Sequence, residues 1–343
     1  MKIETRIPDD LIAVPEWARR AEDLGYDCAL ASEVHSNPFI RLALVAEHTQ
    51  RIGLGTGITL AFVRSPITMA YIALDLQRYS RGRLMLGLGT QTRWQIERRF
   101  GVPWSAPARR IREYIGVMRT AWQSWEDGSP FQYDGDVFKL DVMTPNHRPP
   151  TTDGAPFPRI HVAAVGPLMS RTAGAVCDGI QVHPFGTAAF VHQSVLPNLR
   201  EGAAKAGRSL DGFEISGGGM IATGATPEEL EKAIAGVRYS ISYYGHFPEY
   251  QNVWAVEGWE DLGKKLQEYA AADRWSEMPG LIDDEVLHRF AAVGTYEQIG
   301  ERILERFGSY ATRVSLPVPA PGQEQKLASS MRLLQAASPT VRA

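Results

Sequence analysis

Residues 84–94 read LMLGLGTQTRW, and residues 52–66 read IGLGTGITLAFVRSP. Each is an apolar run that ends in glycines and a threonine. RIHVAAVG at 159–166 has the same continuously apolar character. A run with no polar alternation predicts a parallel strand covered on both faces. Parallel neighbours need crossover connections, so helices are expected between the runs.

Working outward, strand candidates fall at residues 2–7, 27–32, 52–60, 83–88, 159–165, 179–183, 213–223 and 313–318. A helical pattern follows each of them. Ser65 before Pro66 suits a helix start. TPEE from Thr226 reads as a capping box, and TYEQ from Thr295 as another helix opening. This eightfold alternation predicts an α/β (β/α)₈ TIM barrel, one domain over residues 1–343, better than an open doubly wound sheet. Two segments interrupt the rhythm. Residues 130–152, with FQYDGDVFKL and a proline-rich stretch, predict a hairpin and loop before strand five. Residues 244–292, with Trp254, Trp259 and Trp275, predict a helical insertion before strand eight that shapes either the pocket or a subunit contact.

The chain has 343 residues, 44% hydrophobic and 22% charged, with a net charge of −3. Its basic residues are interleaved with glutamates and apolar positions, which argues against nucleic acid as a partner. No apolar run reaches spanning length and MKIETRIPDD lacks a signal-like core, so no membrane role is expected. Cys28 and Cys177 lie in apolar runs without CxxC spacing, and read as reduced core thiols of a cytoplasmic protein.

Ligands of such a barrel bind where the strands end. Gly53, Gly55 and Gly57 either let a ligand approach the backbone or relieve crowding in a narrow barrel. Neither glycine run meets the GxGxxG pattern. In SEVHSNPF, Glu33 and His35 share a side if the segment is extended. That makes them a general acid–base pair, or leaves an ordinary loop histidine. Pro38 and Phe39 begin the next helix and cover the pocket. AAVGP at 163–167 is either a tight turn or a place where a flat ring or anionic tail meets a helix N-terminus. Gln181 and His183 end the sixth strand, and His183 reads as structural in preference to pocket-lining. No HEXXH, CxxC or GxSxG pattern occurs, so no metal ligand set and no serine nucleophile are expected.

Several segments together resemble the luciferase-like monooxygenase superfamily, in its branch of coenzyme F420-dependent oxidoreductases. They are residues 53–66, DLQRYSRGRLMLGLGTQ at 75–91, IERRFGVPWSAPARRIREY at 96–114, AAVGPLMSRTAGAVCDG at 163–179, VHPF at 182–185 and LPNLREGAAKAGR at 196–208. The resemblance implies a hydride-transferring barrel with coenzyme F420 across its mouth, acting on a small organic substrate, and it implies a homodimer. It also implies a cis Gly57–Ile58 peptide forming a bulge under the ring. Gly57, Ile58, Thr59, Thr90, Gln91, Ala163, Ala164, Val165, Gly166, Pro167 and Leu168 would hold the coenzyme. His35 assisted by Glu33 would move the proton, and Phe39, Phe62 and His183 would line the substrate. Relatives carry Asp-His where this chain has Glu33-Val34-His35, and a glutamate where it has Gln91 and Thr92, so no carboxylate is carried over there. An FMN-dependent monooxygenase fed by a partner reductase is the same-fold alternative, and a non-catalytic ligand-binding barrel the other.

Overall fold

The computed structural model describes residues 1–149, 154 and 156–338. In chain order the strands are β1 (Lys2–Arg6), β2 (Cys28–Ser32), β3 (Gly53–Leu60), β4 (Leu84–Gly89), β5 (Tyr133–Asp134), β6 (Lys139–Leu140), β7 (Arg159–Ala164), β8 (Gly179–Val182), β9 (Glu214–Gly217), β10 (Met220–Gly224), β11 (Ala291–Thr295) and β12 (Arg313–Ser315). The helices are α1 (Val14–Asp23), α2 (Pro38–His48), α3 (Pro66–Tyr79), α4 (Arg93–Arg98), α5 (Pro107–Asp127) and α6 (Pro167–Val176). The short α7 (Ala188–Phe190) runs through a π turn at Val191–Val195 into α8 (Leu196–Lys205). Then come α9 (Pro227–Gly245), α10 (Gln251–Glu257), α11 (Glu260–Ala271), α12 (Asp284–Phe290), α13 (Ile299–Phe307) and α14 (Glu324–Ala336).

Among the described residues, parallel strands close in the order β1-β12-β9-β8-β7-β4-β3-β2, a TIM barrel. Their outward faces meet the helices in one continuous apolar core. Inside the cylinder Cys28, Leu30 and Met85 form a separate small apolar plug. Beside it lies a buried ionic group. Arg313 is bonded to Glu4, its Nη1 is 3.1 Å from Glu214 Oε1, and Ser216 donates to Glu4 at 2.8 Å. Both cysteines are free and buried, and burial pushes each thiol up to about 12.

Three readings need correction. The segment at 213–223 is two strands: Gly217 and Gly218 take φ of +82° and +83°, turning the chain out of the barrel after β9. Only glycine adopts such values without strain. From there the chain leaves the cylinder until β12, and β10 pairs with β11 in a separate parallel sheet. The excursion therefore begins earlier than residue 244 and contains a strand the sequence reading lacked. In TYEQ, Thr295 ends β11 and residues 296–298 form a turn, so α13 begins only at Ile299. TPEE is a cap as expected: Thr226 accepts from the Glu229 amide at 3.2 Å, and Glu229 reaches back to the Ala225 amide at 2.7 Å. The hairpin before the fifth barrel strand is β5–β6, pinned by the Glu113 carboxylate on the amides of Val137 and Phe138. Residues 150–152 of that predicted segment lie outside the described residues.

Candidate active site

The mouth of the barrel is built by strand β3. Gly55 pairs with Met85 and Thr59 with Leu88, so β3 uses one more residue than β4 over the same stretch. Against β2 the register slips at the same place, from Ala31–Thr56 to Ser32–Ile58. This is a bulge at Gly57. It leaves the Gly87 backbone without its ladder partners, and Thr56 supplies them: its hydroxyl donates to Gly87 O and accepts from Gly87 N, both at 2.7 Å. The Gly57–Ile58 bond is trans, and among the described residues there is no cis peptide. The expected cis link is thus overturned. An inserted residue, rather than an isomerised bond, makes the bulge.

The glycines have two purposes, divided by height in the barrel. Within the cylinder they relieve crowding: a Cβ on Gly55 would stand 2.6 Å from Leu30 Cδ2, and one on Gly87 2.1 Å from Thr56 O. At the rim they shape a surface. A Cβ on Gly57 would meet Ser32 Oγ at 2.5 Å, and one on Gly89 would meet Ile58 Cγ2 at 2.2 Å. Ile58 therefore lies inward over the bare backbone of β4, half-buried, as an apolar cushion at the mouth. Beneath it Gln181 spans from β8 to β3, its amide nitrogen 3.2 Å from Thr56 O. Its Oε1 is buried and, among the described residues, accepts nothing. Such an orphaned acceptor suits a ligand N–H or O–H.

Two strands along the rim from β3, α6 begins directly after β7. Gly166 offers no side-chain cap, and a Cβ there would point into open space. The Leu168 and Met169 amides have no acceptor within the helix, so this N-terminus favours an anion.

Glu33 and His35 are not a pair. The chain bends after Ser32, so the period of two on which the pairing rested ends there. Glu33 instead accepts from Thr59 Oγ1, the Leu60 amide and Arg64 Nη1, each at 2.8 Å, and from Arg64 Nη2 at 2.5 Å. Burial pushes its carboxyl up, but these partners together hold it below the ordinary carboxylate range. Glu33 thus ties β2 to β3, and Thr59, wholly buried, spends its hydroxyl on it. His35 is exposed on the loop beyond β2 and, among the described residues, has no hydrogen-bond partner. A depressed carboxylate stabilises above its unfolded-state pKa and loses that contribution as pH falls through the folded one. Glu33→Gln should therefore lose about 2 kcal/mol at pH 7, somewhat less than breaking a fully buried pair. Urea melts should show the gap to the native protein closing below about pH 4.5, the carboxyl's ordinary value.

Phe39 and Phe62 are buried in the wall, against Arg64 and against Trp104 and Arg110 respectively, so they back the site instead of lining it. Thr90 and Leu168 reach the surface of the mouth, while Gln91 is exposed at φ +60° and bonds its own loop. Ala163 and Val165 are half-buried, Pro167 is exposed and Ala164 is buried.

His183 stands at the end of β8 with its ring centroid 4.6 Å from Tyr244 and 4.7 Å from Tyr250. Both tyrosines belong to the excursion between β9 and β12, which Trp254 anchors through Phe185 and Phe290. The excursion therefore forms an aromatic wall of the mouth. Burial pushes the His183 imidazole down to about 4, and its Nδ1 accepts from the Phe185 amide at 3.0 Å. Because the folded value lies below the ordinary 6.5, the unfolded chain takes up the proton first as pH falls. Stability should drop by about 3 kcal/mol between pH 6.5 and 4. Melts of His183→Phe across that window should lack this slope, above a constant loss of about 1 kcal/mol for the stranded amide.

A cleft of about 410 Å³ between α7, β11 and α13, lined by His288, Arg302 and Arg306 among others, holds none of these strand-end residues.

A model of luciferase-like monooxygenases matches residues 4–313. The chain belongs to the luciferase-like monooxygenase family. An uncharacterized protein of Mycobacterium tuberculosis is 40% identical to this luciferase-like chain over 318 residues, 93% of each. A 5,10-methylenetetrahydromethanopterin reductase of Methanopyrus kandleri is 25% identical over 339 residues, again 93% of each. The solved coenzyme F420-dependent reductase of that organism superposes on the luciferase-like barrel with TM-score 0.77 at 22% identity, covering 98% of this chain and 99% of its own. An F420-dependent secondary alcohol dehydrogenase follows at TM-score 0.72 and 17% identity, covering 98% and 99%. The two structures share the fold.

Proposed function

We propose that this chain is a coenzyme F420-dependent oxidoreductase that moves a hydride between the deazaflavin and a small organic substrate. The observation that carries the reading is the composition of the rim. Ile58, cushioned on bare Gly89, gives a flat apolar bed beside the uncapped N-terminus of α6 and above the orphaned Gln181 Oε1. A flat apolar ring with an anionic tail fits the bed and the helix end. A "putative coenzyme F420-dependent oxidoreductase" of Mycobacterium tuberculosis, 27% identical over 84% of this chain, and the solved F420-dependent reductase favour the deazaflavin over FMN.

When bound, the deazaflavin supplies a ring carbon that gives or takes a hydride. The chain's own residues do the rest. Ile58 and the β3 bulge support the ring, and the Leu168 and Met169 amides with the helix dipole hold the phosphate of the tail. Tyr244, Tyr250 and neutral His183 keep water from the reacting face. His35, exposed on the loop beyond β2, takes or gives the proton that accompanies the hydride.

Titration of the purified apoprotein with coenzyme F420 and with FMN, followed by fluorescence, tests the reading. Preferential F420 binding supports it. Tight binding of FMN alone would favour the monooxygenase function after which the family is named.

A further inference from the structure

Strand β1 alternates Lys2, Glu4, Arg6, and Glu4 points into the cylinder, where it meets Arg313 and Ser216. Residues two apart in a strand share a face, so Arg6 projects inward one layer above, at the mouth. It is exposed, and among the described residues no carboxylate pairs with it. Two carboxylates of this rim are already engaged, Glu33 by Arg64 and Asp9 by Arg41. In the aromatic wall, burial and Tyr243 raise the Tyr244 phenol, and the Arg6 guanidinium opposes that rise, so the cation and this ring share the mouth's electrostatic field. Glu249 bears on Tyr250 and His246 instead.

Position around the barrel decides which ligand this cation serves. From β1 to β7 the path is β12-β9-β8-β7 one way and β2-β3-β4-β7 the other, so the two strands are diametrically opposed. The α6 N-terminus that follows β7 is therefore across the mouth from Arg6. An anionic coenzyme tail seated there leaves Arg6 facing the substrate side of the mouth, the side that carries the aromatic wall.

We propose that Arg6 is a specificity-determining residue, and that the substrate is a carboxylate on a flat or apolar body. The guanidinium pairs with the carboxylate, bidentate where geometry allows, while Tyr244 and Tyr250 cover the apolar part. Assigning that ligand as the substrate rests on the reading given under Proposed function.

Calorimetric titration with benzoate and its neutral isostere benzamide tests this, on the apoprotein and on the coenzyme-loaded protein. The coenzyme titration is run in parallel on native protein, Arg6→Gln and Arg6→Lys. The native protein should prefer benzoate at least tenfold, as expected for a charge-assisted contact. Arg6→Gln should abolish the preference, Arg6→Lys should keep part of it, and coenzyme affinity should stay within about twofold. Equal binding of both probes, binding of neither, or a preference that survives in Arg6→Gln would overturn the proposal. So would a loss of coenzyme affinity in Arg6→Gln, which would assign the guanidinium to the coenzyme. If no variant binds coenzyme F420, the functional reading falls while the apoprotein titrations still decide Arg6.

Discussion

Arg313→Leu is expected to lower stability by about 3–5 kcal/mol, the cost of breaking a buried ion pair from one side. For a chain of this size that is a fall in Tm of about 4–7 °C. Arg313 is 5% exposed and lies between Glu4 at 1% and Glu214 at 9%. Without it two carboxylates share the interior, with Ser216, Lys2 and neighbouring His161 left to answer them. Lys2 is largely in water and so contributes little. In the native protein, burial pushes the Glu214 carboxyl up, but His161, Arg313 and Lys2 pull it far below its ordinary value. Its contribution is therefore complete at neutral pH and is lost only as pH falls below about 4.5. In the variant the carboxylates repel, one of them holds its proton to higher pH, and the gap to native protein should narrow from pH 7 towards 4. Replacing Glu4 with Leu as well should recover part of the loss, because an apolar group costs less than a stranded charge. Chemical denaturation of the three proteins at pH 7 and pH 4.5 checks both the size and the sign. Equal stability of Arg313→Leu and native protein would mean that water reaches the network.

His35→Ala should reduce kcat by about 10²–10⁴-fold, the usual range for removing a general acid–base, and leave coenzyme Kd within about twofold. The two readouts part because His35 makes no bond that supports the fold among the described residues. Glu33→Gln should behave in the opposite way, losing stability ahead of turnover, since its carboxylate is committed to Arg64. Kinetics with a carboxylate-bearing carbonyl panel, alongside fluorescence titration of the coenzyme, separates the two. Parallel losses in kcat and coenzyme affinity for His35→Ala would make the imidazole a structural residue of the loop.

The barrel was legible because its signal is global: apolar runs separated by helical periods leave few other ways to bury both faces of a sheet. Local events were less so. Gly217–Gly218–Gly219 ends β9, but the apolar residues on either side hid the turn within one run. AAVGT, strand β11, carries little strand signal because it is short and follows helical sequence directly. The site was legible as a location and less so as a set of roles. Glu33 and Thr59 were identified as mouth residues, yet their commitment to each other and to Arg64 depends on a bend and a bulge, which local periodicity does not encode. Thr56 and the free acceptor of Gln181 matter only because β3 and β8 face each other across the cylinder. Arg6 had a signal in sequence, the alternation Lys2-Glu4-Arg6, whose meaning required knowing which face is the inside.

A crystal structure of the protein with coenzyme F420 bound examines the central claim most directly. The tricycle is expected on Ile58 above the Gly57 bulge, with the phosphate at the Leu168 and Met169 amides and Arg6 left free on the opposite rim. A ring seated away from β3, or a tail directed to β1 instead of α6, would contradict it.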